Sequence, residues 1–415
     1  MFDPTQEDKN DPLSHFRKKF LIPQKNGKEQ IYFLGNSLGL QPVTTASYIC
    51  DVLAQWSQYG VEGFFMGDDP WINYHDKLTP SLSHITGALP HEIVVMNHLT
   101  VNLHLLLASF YRPDKKRFRI ICEANAFPSD QYMLETHVKH HGLNPEKTII
   151  EVHPRDGEIN IRTEDIADII SKHSSELSLV LWGGVNYLTG QLFDLPAITR
   201  MAHDAGALAG FDLAHAIGNV KLDLHNWNAD FACWCSYKYL NAGPGGIAGA
   251  YIHERYHSDA NLPRLAGWWG YDKASRFKMK KGFKPVGTAE GWQVSTPPII
   301  LMAAHKAALD IFMEAGMDNL VQKSKRLSDY LIHLINDVNK NAGSELITVL
   351  TPLSKGCQVS MMVKHKPRQI FEQLMENGIF ADWREPDVIR VAPVPLYNTF
   401  NEVYIFSEVM KKLTA

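Results

Sequence analysis

The sequence predicts an α/β protein built on a mainly parallel central sheet flanked by helices, with a smaller α+β domain after it. Three observations carry that expectation. Between about residues 90 and 300, short β-rich runs alternate with helical stretches. Several of those runs are apolar almost throughout, as strands buried on both faces must be. Beyond about residue 300 the pattern changes to a long helical stretch followed by short mixed elements.

Taken in order, the expected strands are 117–122, 148–152, 179–183, 207–211, 231–235 and 247–252. Between the third and fourth, Asp194, Leu195 and Pro196 open a helix and Gly206 closes it. An aspartate can cap the free amides of a first turn, proline fits that turn, and glycine suits the stop. A helical pattern from 298 to about 340 then leads to a strand-like segment at 346–351. Short elements follow at 358–363, 367–377, 388–391 and 402–413. No internal repeat or long linker interrupts the chain, so its parts should pack against each other.

Composition narrows the function. The 415 residues are 45% hydrophobic and 21% charged, as in a soluble globular protein with a large core. The net charge of −4 lacks the basic surplus of a nucleic-acid binder. The densest basic stretch, 276–284, is interleaved with Phe277, Met279 and Phe283 and reads as a solvated face or loop. Five cysteines (50, 122, 233, 235 and 357) are an odd count that argues for a reducing compartment rather than a disulfide framework. Cys233 and Cys235 fall on one face of a strand with no second pair at zinc spacing, which suits buried structural thiols. The first 20 residues lack an apolar signal core, and the apolar segment 299–312 is broken by His305, Lys306 and Asp310. A cytoplasmic protein without a membrane partner is expected.

The chemistry concentrates at strand ends. Asp212 ends one expected strand, and Ser236, Tyr237 and Lys238 end the next; the separation is 238 − 212 = 26 residues. In doubly wound sheets ligands bind beyond the carboxyl ends of the strands. A carboxylate and a lysine converging there suit pyridoxal 5'-phosphate (PLP): the lysine holds the aldehyde as a Schiff base, and the aspartate keeps the pyridine nitrogen protonated. His215, three residues past Asp212, is placed to meet the aspartate or the cofactor ring. Leu99 and Thr100 open an amphipathic helix whose free amides, dipole and hydroxyl favour a phosphate, with Thr100 also a candidate N-cap. Phe127 can stack on a planar ring, and Asp130 can meet its polar edge. The glycines of 243–246 lack a P-loop ending and are expected to allow close backbone packing behind the lysine.

Six segments in order carry a family resemblance: YFLGNSLGLQP at 32–42, MNHLTVNLHLL at 96–106, FPSD at 127–130, GFDLAHAIGNV at 210–220, DFACWCSYKYLNAG at 230–243 and IRVAPVPLYN at 389–398. Together they resemble kynureninases. The resemblance implies the fold type I PLP-dependent transferase-like architecture, working as a homodimer with a shared active site. It divides the chain into an N-terminal segment, 1–50, that joins the small domain, a PLP-binding domain, 51–300, and a C-terminal small domain, 301–415. It implies Lys238 as the Schiff-base lysine and Asp212 opposite the pyridine nitrogen, with Leu99, Thr100, Phe127, Asp130, His215 and Tyr237 lining the cofactor. Trp268 and Thr296 would reach the phosphate from the partner subunit, Thr296 standing where other members carry Asn, and 276–284 would lie near that interface. Arg390 would clamp the substrate α-carboxylate.

The implied reaction is hydrolysis of L-kynurenine or its 3-hydroxy derivative to L-alanine and anthranilate or 3-hydroxyanthranilate. Lys238 would move the α-proton and Tyr237 would assist as a proton donor or through the phosphate. Tryptophan catabolism and NAD biosynthesis both use such a step. Val61 replaces a histidine found in some relatives near the substrate ring, which leaves the ring-hydroxyl preference open. Two alternatives need weighing. A cysteine desulfurase or selenocysteine lyase needs a cysteine on a mobile loop, and Cys357 is the candidate in the C-terminal part. A non-catalytic binding module would have lost Lys238, Asp212 or Arg390, all of which are present.

Overall fold

The computed structural model describes residues 2–259 and 261–414. Its central sheet has seven strands: β1 (Ile93–Val95), β2 (Arg119–Glu123), β3 (Ile149–Val152), β4 (Leu177–Gly183), β5 (Leu208–Asp212), β6 (Phe231–Trp234) and β7 (Gly249–Ile252). Their spatial order is β1-β7-β6-β5-β4-β2-β3. The pairings from β3 through β6 are parallel, and β7 runs antiparallel to both neighbours. Every expected strand of the central region is present within two residues at each end. β1 was not expected, because three apolar residues with no alternation give no periodicity to read.

Burial explains the strand composition. Phe231 and Cys233 pack into one apolar layer, while Ala232 and Trp234 pack into the other. A strand covered on both faces cannot alternate with polar residues. Cys233 and Cys235 are both buried free thiols pushed up by burial, in keeping with a structural role.

Helices α1 (Thr45–Tyr59), α2 (Leu99–Phe110), α3 (Pro128–His140), α4 (Thr163–His173) and α5 (Leu195–Asp204) accompany this sheet. Asp194 caps α5 as its sequence suggests, its side chain accepting from the Ala197 amide at 3.0 Å. The long helical pattern from residue 298 is two helices, α6 (Ile299–Ala315) and α7 (Met317–Ala342). Gly316 interrupts them with φ +74° and ψ 133°, outside the helical region. The break was not legible because a single glycine does not by itself end an apolar helical period.

The C-terminal part holds a four-stranded sheet of β8 (Ile347–Val349), β9 (Val359–Val363), β10 (Asp382–Arg384) and β11 (Val388–Val391), in the order β8-β9-β11-β10. Helices α8 (Pro367–Glu376) and α9 (Phe400–Thr414) complete it. Its core runs from Leu327 onward and takes in Phe33, whereas α6 and Leu320 belong to the large core. The N-terminal segment touches both parts. Ile31–Tyr32 pairs in parallel with Ile379–Phe380, while Leu13, Phe16 and Phe20 pack into the large core.

Candidate active site

A cavity of about 280 Å³ opens at the carboxyl edge of the central sheet. Strand ends supply Glu123 from β2, Gly183 from β4 and Asp212 from β5, and Lys238 follows β6. The first turns of two helices add Leu99 and Thr100 from α2 and Ser129 and Asp130 from α3, and loops add Tyr187, His215 and Tyr237. Parallel strands point their carboxyl ends one way, so residues distant in sequence share a rim.

Lys238 is buried, and its Nζ lies 3.0 Å from His215 Nε2. Burial, then the charges of Lys238, Arg390 and Arg384, push His215 well below the ordinary histidine range. A neutral imidazole suits a hydrogen bond from the lysine. His215 therefore serves the lysine; Asp212 Oδ1 instead accepts the Ala214 amide at 2.7 Å. Asp212 and Asp130 are hydrogen-bonded to each other. Burial, then the charge of Asp212, raises Asp130 well above the ordinary carboxylate range, and burial raises Asp212 as well.

Glu123 is a third buried carboxyl on the rim, raised by burial to about 7 against the effect of its hydrogen bond from Asn186 at 2.9 Å. Sequence reasoning missed it. Its one signal was a charged residue closing an apolar strand. Tyr237 lines the cavity with its phenol pushed up, chiefly by burial.

These groups fit PLP. His215 lines the cavity, and its Nδ1 is buried without a hydrogen-bond partner among the described residues. The Asp130–Asp212 pair offers carboxyl oxygens to a pyridine ring nitrogen. The Phe127 ring faces the lysine, with Nζ 5.7 Å from its centroid, and meets Tyr187 edge-on at 5.2 Å. The N-terminus of α2 offers unpaired amides to an anionic tail. Its N-cap is His98, with no side-chain cap bond, so Thr100 sits inside the first turn with its hydroxyl free of capping.

Of the other expected residues, Arg390 is buried behind the cavity wall, donating from Nη1 to the Tyr187 carbonyl and from Nη2 to Asp382. Trp268 and Thr296 are exposed and do not reach the cavity within one chain. Val61 is 71% exposed.

The close packing behind the lysine comes from Gly39, not from 243–246. The Gly39 amide donates to Tyr237 O at 2.8 Å, and a Cβ there would stand 2.3 Å from Lys238 O. Gly243 and Gly245 are instead turn residues, with φ of +88° and +62° and open space around them.

A curated kynureninase from Flavobacterium psychrophilum is 50% identical over 409 residues, covering 98% of this chain and 96% of that one. The chain belongs to the kynureninase family. A second kynureninase, from Koribacter versatilis, is 48% identical and covers 98% of this chain and 97% of its own. The family model described as the kynureninase C-terminal domain matches residues 320–410. Among solved structures, the apo cysteine desulfurase of Thermococcus onnurineus NA1 is similar with a TM-score of 0.76 at 18% identity, covering 100% of this chain and 98% of that one. A C-DES mutant with glycine covalently linked to its PLP cofactor gives 0.77 at 18%, covering 92% and 96%. At that identity the shared property is the fold. Kynureninase membership also agrees with the state of Cys357, which is buried just before β9 with its thiol pushed up by burial to about 12. It lacks the accessible thiolate a desulfurase needs.

Proposed function

We propose that this kynureninase-family chain is a PLP-dependent hydrolase that cleaves the Cβ–Cγ bond of L-kynurenine or 3-hydroxy-L-kynurenine. The products are L-alanine and anthranilate or 3-hydroxyanthranilate. The observation that carries the reading is the convergence of Lys238, His215 and the Asp212–Asp130 pair in one cavity beside a buried arginine.

When bound, PLP supplies an electron sink for charge developing at the substrate α-carbon. Lys238 would hold the cofactor aldehyde, and its amine is the base placed to take the substrate α-proton. His215 aims Nζ into the cavity. Asp212 and Asp130 would hold a proton at the ring nitrogen, and Phe127 would stack on the ring. Leu99 and Thr100 would bind the phosphate at the start of α2. Arg390 binds the α-carboxylate. Water adds at the γ-ketone; the Cβ–Cγ bond breaks, the aromatic acid leaves, and a proton is delivered to Cβ. Tyr237 lines the cavity and is placed for that delivery.

We also read the molecule as a cytoplasmic homodimer in which Trp268 and Thr296 of one subunit complete the cavity of the other. An exposed aromatic cluster supports this: Phe277 stands 5.7 Å, ring to ring, from both Phe65 and Trp268. Contiguous exposed apolar surface of this kind marks an interaction site. Among the described residues no helix is long and apolar enough to cross a membrane.

The test is product analysis. Purified protein loaded with PLP should release alanine and the aromatic acid in equal amounts from at least one of the two substrates. Folded, PLP-bound protein that cleaves neither would refute the reading.

A further inference from the structure

Strands β10 and β11 pair antiparallel with Asp382 opposite Arg390. One oxygen of Asp382, Oδ2, gathers three donors: Arg390 Nη2, Arg384 Nη2 at 3.2 Å and Ser37 Oγ at 2.7 Å. Ser37 brings the 32–42 motif into this cluster. The other amino nitrogen of Arg390 is held by the carbonyl of Tyr187, a residue of the cavity wall. The Nε atoms of Arg384 and Arg390 are both buried and without a hydrogen-bond partner among the described residues.

Two guanidinium charges thus share one carboxylate, leaving one net positive charge and unused donors beside the site. A buried guanidinium short of its counter-charge is costly, and planar forks of this kind match a second carboxylate. We propose that Arg384 is a second arm of the clamp on the substrate α-carboxylate, and that Asp382 is the positioning residue that fixes both guanidinium planes. The inference rests on the reading of Arg390 given above. Asp382 does not compete with the substrate in this role, because it takes one outer nitrogen from each arginine and leaves the Nε of both without a partner among the described residues.

The experiment compares R384Q and D382N with wild-type holoenzyme. The Arg384 side chain is 36% exposed, so R384Q should fold. It should raise KM for L-kynurenine about tenfold, the loss of one charge-assisted hydrogen bond, with kcat unchanged. D382N should raise KM in the same direction. Neither variant should change the affinity for the decarboxylated substrate analogue, which keeps the amine and ring but lacks the carboxylate. An unchanged KM in R384Q, or equal weakening of the decarboxylated analogue, would overturn the second arm. A lower KM in D382N would make Asp382 a competitor and overturn its positioning role. If the wild type cleaves no kynurenine, the proposed function fails, yet calorimetric binding of L-alanine to wild type and R384Q still reads the clamp. Equal affinities there would sink the inference by itself.

Discussion

Replacing Gly39 by alanine probes how tightly the lysine is held from behind. The backbone at Gly39 needs no left-handed conformation, so any effect of the new methyl is steric. That carbon would stand 2.3 Å from Lys238 O and 2.6 Å from the Asn241 side-chain nitrogen, against at least 3.4 Å for an ordinary contact. The shortfall to the carbonyl is 3.4 − 2.3 = 1.1 Å. Lys238 O is backbone and cannot rotate away, so either the 32–42 segment or the lysine itself must shift. Overpacking of this kind costs about 1–3 kcal/mol of stability. A displacement of about 1 Å at the reacting group costs roughly 100-fold in rate. Urea unfolding of the cofactor-free protein reads the first, and kcat on L-kynurenine reads the second. Gly243→Ala is the control: φ of +88° in open space predicts backbone strain of about 1–2 kcal/mol with kcat unchanged. A Gly39→Ala protein with wild-type stability and wild-type kcat would refute the reasoning.

Other substitutions test separate parts of the site. Lys238→Ala should abolish both turnover and the visible absorbance of loaded protein, and a variant with wild-type rates would remove Lys238 from its role. Arg390→Ala should raise KM by about 2–4 kcal/mol, because it strands a buried charge partner, and steady-state kinetics on L-kynurenine would show it. Glu123 predicts a pH dependence. Its pKa is raised from 4.5 to about 7, a difference of 2.5, so between those values the unfolded carboxyl is ionised while the folded one keeps its proton. The unfolded state then binds fewer protons, and stability falls as pH rises through this window by about 3 kcal/mol. In cofactor-free protein Glu123→Gln should remove that portion of the fall between pH 5 and 7.5, measured as the difference from wild type in denaturant unfolding. Parallel pH profiles for the two proteins would contradict it.

The central sheet and the Asp212–Lys238 pair were legible because parallel strands buried on both faces write long apolar runs, and their ends mark a ligand edge. Phe127 and Asp130 were found by the same rule, as residues just past a strand end, and Thr100 by the amphipathic helix it opens. Glu123 obeys that rule too, but one acidic residue after an apolar run carries no partner in sequence to single it out. His215 was expected to meet Asp212 or the cofactor ring and instead meets Lys238, since a turn fixes which residues are near but not which side chains face each other. The Asp382 cluster was invisible. β10 is three half-buried residues with no apolar period, and its pairing with Arg390 and Ser37 spans separations of 8 and 345 residues. Trp268 and Thr296 are exposed and do not line the cavity of their own chain.

The most direct single test is borohydride reduction of the PLP-loaded protein followed by peptide mapping. The account predicts one modified peptide, with the added mass on Lys238. Modification at another lysine, or none in protein that binds PLP, would contradict it.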